Sequence, residues 1–150
     1  MLQQPSIVTV GSFLDHARSP AHLSLLIGEE YLDTVIPEEA INRPGLALAD
    51  FFNYFADKRI QVLGLAEMSY LKSLSKSERE QRVDNLFKQS IPCVVLTRNR
   101  NMTPELERAS RKYKVPILRS PLITSRFINL ATVVMENLVA PSTKYVGTML

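Results

Sequence analysis

Pro92-Cys93-Val94-Val95-Leu96-Thr97, Thr103-Pro104 and Val115-Pro116-Ile117-Leu118 are the pieces of sequence that decide the fold. The first and the last are short, apolar and rich in β-branched residues, which reads as strand. Between them Thr103 offers a hydroxyl N-cap, and Pro104 suits the first helical position, where a missing N–H leaves nothing unpaired. Two strands that are apolar on both faces and joined by a crossover helix make a parallel pair buried between helical layers. The expected fold class is therefore α/β, a largely parallel sheet sandwiched between helices in three layers.

Working outward, Thr124 is expected to cap a long helix reaching about Val139. That helix is apolar nearly all round, so it needs cover from the sheet and from something else. Towards the N-terminus, Arg59 to Leu63 reads as a strand stopping at Gly64, followed by a helix through Leu65, Met68 and Leu71 to Leu74. A further helix is expected from Ser77, with Ser77 and Glu80 as a capping box and Val83, Leu86 and Phe87 as its apolar stripe. Asn42-Arg43-Pro44-Gly45 is the strongest turn signal, with proline presetting φ and glycine accepting a positive φ. Leu46 to Phe52 is expected to be helical, and the aromatics Phe51, Phe52, Tyr54 and Phe55 read as a buried anchor, a recognition platform being their other use. Leu23 to Ile27 and Thr34 to Pro37 read as strands, and Thr9 as the N-cap of a helix over residues 10–17.

Composition narrows the function classes. The 150 residues are 45% hydrophobic and 22% charged, with a net charge of +3, which suits one globular domain rather than a disordered or fibrous chain. No apolar stretch approaches the ~20 residues of a membrane span, and the N-terminus lacks a secretory pattern, so a cytoplasmic location is expected. Lysine and arginine are dispersed, so nucleic acid is not an expected partner, nor is a membrane. Cys93, the only cysteine, lies in an apolar run and reads as a small buried hydrophobe.

The five glycines are too far apart for the closely spaced loops that bring backbone N–H groups around phosphates. His16 and His22 with one distant cysteine supply no zinc set and no activated nucleophile. The acidic pairs Glu29-Glu30, Glu38-Glu39 and Glu78-Glu80 read as solvated faces and helix starts. No catalytic residue and no metal site is expected. One constellation remains. Arg98 and Arg119-Ser120 follow parallel strands, and Thr124-Ser125 open the next helix, so Arg98, Arg119, Ser120, Thr124 and Ser125 are candidates for an anion site where α/β sheets bind ligands. The same arginines also suit helix capping, pairing with acids, or contact with a neighbouring subunit.

Several blocks in series resemble the N-terminal domain of the HPr kinase/phosphorylase family. They are Ile41-Asn42-Arg43-Pro44-Gly45-Leu46, the aromatic block, Arg59 to Gly64 with Glu67, Tyr70 and Leu71, Ile91 to Arg98, Val115 to Leu122, Phe127, and Leu138 to Thr143. The resemblance runs from about residue 40 to the end. It implies an intact protein that uses ATP and Mg to phosphorylate a serine of HPr and removes the phosphate by phosphorolysis, in carbon-source control. It places that chemistry in a C-terminal P-loop domain. Residues 1–140 are then a regulatory and scaffolding domain, and 141–150 a linker running into the kinase domain, with Val146-Gly147 where the family carries His-Gly. The implied partners are the kinase domain, HPr and further copies of the same chain. The implied fold is similar to the substrate-binding domain of a UDP-sugar-dependent peptidoglycan ligase. An alternative function is a sensor for a phosphorylated metabolite or nucleotide.

Overall fold

The computed structural model describes residues 7–140; the expected linker at 141–150 lies outside them. Five strands form one sheet in the order β1 (Ser24–Ile27), β5 (Ile117–Arg119), β4 (Val94–Leu96), β3 (Ile60–Leu63), β2 (Ile41–Asn42). The pairs β2/β3, β3/β4 and β4/β5 are parallel, and β1 closes one edge antiparallel to β5. Helices cover both faces. On one lie α1 (Val10–Ala17) and α6 (Thr124–Val139), packed on Ile60, Val62, Cys93, Val95 and Leu118. On the other lie α2 (Gly45–Leu48), α3 (Leu65–Ser73), α4 (Lys76–Phe87) and α5 (Pro104–Tyr113), packed on Leu63, Val94, Leu96 and Ile117. The alternation Val94, Val95, Leu96 thus splits between the two halves of the core, because successive strand side chains point to opposite faces.

Local chemistry explains most boundaries. Thr103 caps α5 by accepting the Leu106 N–H at 3.2 Å, with Pro104 at N1. Thr9 accepts the Ser12 N–H at 3.1 Å, and Ser12 reaches back to the Thr9 N–H, a reciprocal cap on α1. The second cover that α6 needs is α1, against which it packs, with Phe127, Ala131 and Met135 fully buried.

Several expectations are corrected. Thr34 to Pro37 is not a strand: Val35 makes only a single bridge to Thr9 and is half exposed. α4 starts two residues earlier than expected, with Ser75 and Glu78 as its capping box. Both S-x-x-E spacings exist, and the earlier one places Arg79 in the first turn, where it donates to the carbonyls of Leu71 and Leu74 at 2.9 Å. The residue before α6 is Ile123, and Thr124 sits at N1 with its hydroxyl turned to other use. The Asn42–Gly45 segment turns strand into helix without a left-handed glycine. Among the described glycines only Gly28 has positive φ, and Gly45 opens α2. A Cβ on Gly45 would meet nothing within 4 Å. Gly45→Ala is accordingly expected to leave stability unchanged or raise it by up to about 1 kcal/mol, measured by thermal unfolding. The helix after the turn stops at Leu48, and the aromatic block divides: Phe52 and Phe55 pack edge to face at 5.6 Å against the core, while Phe51 and Tyr54 face outwards.

Cys93 is fully buried, and burial pushes its thiol well above the ordinary value of 9.0. The unfolded chain ionises this thiol above pH 9.0, whereas the folded chain holds it protonated. Its contribution therefore lowers stability as pH rises past that point, by about 1.4 kcal/mol per pH unit. Urea unfolding of the wild type and Cys93→Ala between roughly pH 8 and 10.5 is expected to show a shallower alkaline decline in the variant. Equal slopes would contradict it.

Candidate functional site

In a parallel sheet the carboxyl ends of the strands are where loops converge and ligands bind. Here β2, β3, β4 and β5 deliver Arg43, Gly64, Thr97-Arg98 and Arg119-Ser120 to that edge. At its centre is a buried polar node. The Glu67 carboxylate, 5% exposed, accepts from Arg43 Nε at 3.2 Å and Nη2 at 2.9 Å, and from the Gly64 N–H at 2.9 Å. A carboxylate in the first turn of α3 also faces the positive end of that helix. Beside it the hydroxyls of Thr97 and Thr124 share a buried hydrogen bond of 2.7 Å that ties the end of β4 to the start of α6. Below this node, Gln61 is fully buried yet satisfied: it accepts from Asn42 Nδ2 at 2.7 Å and donates to the carbonyls of Ala56 and Arg59.

Arg43→Ala would strand the Glu67 charge with one hydrogen bond. The guanidinium is 44% exposed, so water partly replaces it, and the expected cost is about 1–2 kcal/mol. A double-mutant cycle with Glu67→Gln should show coupling; strict additivity would remove this node from the account.

The expected anion residues do not share one face. The Ser120 hydroxyl is buried and donates to the Ala21 carbonyl at 2.7 Å while accepting the Leu122 N–H at 3.2 Å. Thr124 is engaged with Thr97. Ser125 is exposed on α6, on the α1/α6 side of the sheet. Arg119 alternates with Leu118 and so shares the opposite face with Ile117. Arg98 is exposed and borders a cleft of about 720 Å³ between α3 and the segment joining β4 to α5. Both Arg98 and Asn99 hold left-handed backbone, φ 58° and 55°, and their N–H groups donate to the carbonyls of Leu122 and Ser120 at 2.8 and 3.0 Å. Two adjacent non-glycine residues in that region cost free energy, offset here by the two hydrogen bonds that zip the strand-end loops together.

Sequence reasoning passed over the Arg43–Glu67–Gly64 node. Its local half was readable, since glycine followed three residues later by glutamate is a helix-start spacing. Its other half, the pairing of Arg43 with a residue 24 positions away, has no local signal.

Residues 8–135 match the family described as HPr Serine kinase N terminus. The chain belongs to that family. Its curated relatives include HPr kinase/phosphorylase of Brevibacillus brevis, 36% identical over 93% of this chain and 44% of the relative. The enzyme of the same name from Clostridium perfringens strain 13 is 41% identical over 82% of this chain and 39% of its own length. The chain therefore spans about two fifths of these family members, matching their N-terminal part. Among solved structures, the CBS and DRTGG domains of the regulatory region of Clostridium perfringens pyrophosphatase, complexed with the activator diadenosine tetraphosphate, align with a TM-score of 0.56. That alignment covers 94% of this chain and 63% of the other at 12% identity, a likeness of fold. No helix among the described residues is long and apolar enough to cross a membrane.

Proposed function

We propose that this chain is the non-catalytic N-terminal unit of an HPr kinase/phosphorylase, acting as a regulatory and oligomerisation domain for a kinase domain carried elsewhere in the longer protein. On this reading the intact protein phosphorylates a serine of HPr with ATP and Mg, and reverses the step by phosphorolysis in the control of carbon-source use in the cytoplasm. The observation that carries it is the family match over residues 8–135 of a chain that spans about two fifths of kinase/phosphorylase relatives.

The strand-to-helix turn after β3 offers no cradle for the phosphates of a transferring ATP and its Mg. There the Gly64 N–H is already committed to Glu67, whose carboxylate takes the place at the helix start that a phosphate would need. The nucleotide and its metal belong, on this reading, to the kinase domain.

Exposed apolar side chains support the oligomerisation role. Leu46 is 69% exposed, Phe51 49% and Tyr54 102%, all within nine residues, and such clusters mark contact surfaces. Sedimentation of the chain across concentration is expected to show association, weakened by Leu46→Ser with Tyr54→Ser. A strict monomer throughout would count against the role.

A second reading, a sensor of a phosphorylated metabolite or nucleotide, draws on Arg98 and the cleft it borders, the other candidates Arg119, Ser120, Thr124 and Ser125 lying off that cleft. The fold-level likeness to a regulatory region complexed with the activator diadenosine tetraphosphate lends it support. A thermal-shift screen of phosphates, nucleotides and UDP-sugars tests it, since a ligand at about a hundredfold over its dissociation constant stabilises by about 2.7 kcal/mol.

A further inference from the structure

The chain has eleven arginines. Seven of them, Arg18, Arg43, Arg59, Arg79, Arg82, Arg108 and Arg111, are paired with carboxylates. The four with no carboxylate partner among the described residues are Arg98, Arg100, Arg119 and Arg126. All four lie at one end of the molecule: two follow β4, one is the last residue of β5, and one is in the first turn of α6. Unpaired cations gathered at one edge raise its potential and concentrate anions there. Part of that edge is concave. The cleft of about 720 Å³ is bordered by Arg98 and Arg100 on one wall and by Lys72 of α3 on the other, a size that suits a small molecule. Lys72 likewise has no carboxylate partner among the described residues. The one acidic group on the cleft, Glu105, is nearly buried and held by Arg79 at 3.5 Å, so its charge is already countered.

We infer that this cleft between α3 and the β4–α5 segment binds a small oligophosphate-bearing molecule, with Arg98, Arg100 and Lys72 as its phosphate ligands. The inference rests on the sensor reading and narrows it: Ser120 and Thr124 spend their hydroxyls inside the protein, and Arg119 lies off this cleft. The backbone supports the assignment. The left-handed pair Arg98-Asn99 is pinned through Leu122 and Ser120, which fixes where the Arg98 side chain leaves the loop and lowers the ordering cost of binding. Three separate cations match the several charges of an oligophosphate better than a single monoanion.

The test is a titration of the 150-residue chain with inorganic tripolyphosphate at ~150 mM salt, followed by amide NMR, a salt level at which unfocused surface attraction is screened. The expected result is saturable shifts at Lys72 and at Arg98 to Asn101. Binding should weaken roughly tenfold or more in Arg98→Asn with Arg100→Gln, because two charge-assisted contacts are lost. Asparagine suits the left-handed position, so that variant should fold. Lys72→Gln on the far wall should weaken binding as well, whereas Lys88→Gln, at the C-cap of α4 and off the cleft, should not. Saturable shifts confined to Arg119, Ser125 and Arg126 would overturn the cleft while leaving a sensor elsewhere on the edge. Shifts nowhere in the chain would overturn both the cleft and oligophosphate sensing.

Discussion

Phe127→Ala is expected to destabilise the domain by about 4 kcal/mol, read as a fall in the urea midpoint with little change in slope. Phe127 is fully buried in the half of the core that joins α1 and α6 to the sheet. Truncation removes the transfer free energy of a ring and leaves a cavity that neighbouring helices fill only in part. Total stabilities of single domains are about 5–15 kcal/mol, so a loss of this size brings the domain near unfolding at 37 °C. Val133, on the same helix but 54% exposed, supplies the contrast. Val133→Ala should cost less than about 0.5 kcal/mol. A large effect at Val133 would mean that α6 is covered in solution by something other than α1, such as a second copy of the chain.

Gly64→Ala is expected to cost about 2–3 kcal/mol, for a reason that has nothing to do with glycine's backbone freedom. Its φ of −99° is open to any residue. The obstacle is space: a Cβ there would lie 2.4 Å from Thr124 Oγ1 and 3.2 Å from an Arg43 guanidinium nitrogen. The threonine hydroxyl can retreat only by giving up its buried hydrogen bond with Thr97, and overpacking of this kind typically costs 1–3 kcal/mol. Thr124→Ala removes the obstructing oxygen, so the pair Gly64→Ala with Thr124→Ala should be markedly less destabilised than the sum of the two single changes. Equality with the sum would show that the crowding lies elsewhere.

Much of the sheet is legible because its signals are local. Thr103-Pro104 and the apolar runs around Val95 and Ile117 set the parallel β4–α5–β5 unit, and their two-faced apolarity sets the three layers. The antiparallel β1 is a matter of long-range pairing: Ser24 meets Arg119 across 95 residues, and nothing in Leu23 to Ile27 reveals the direction. α4 is misplaced by two residues because Ser75-x-x-Glu78 and Ser77-x-x-Glu80 satisfy the same local rule, and the choice turns on Arg79 reaching the end of α3 and Glu105. The site is less legible than the fold. Arg98 could be picked out as following a parallel strand, but its company could not, since Lys72 reaches the cleft from another helix. The hydroxyls of Ser120 and Thr124 look free in sequence and are consumed by Ala21 and Thr97 in the fold.

Whether this fold serves a kinase without transferring phosphate itself, as proposed, is decided by one assay. The purified chain, free of any longer enzyme, is mixed with HPr, ATP and Mg, and the mass of HPr is followed over time. HPr is expected to gain no phosphate; a phosphoserine accumulating on HPr in proportion to the amount of this chain would overturn the non-catalytic role.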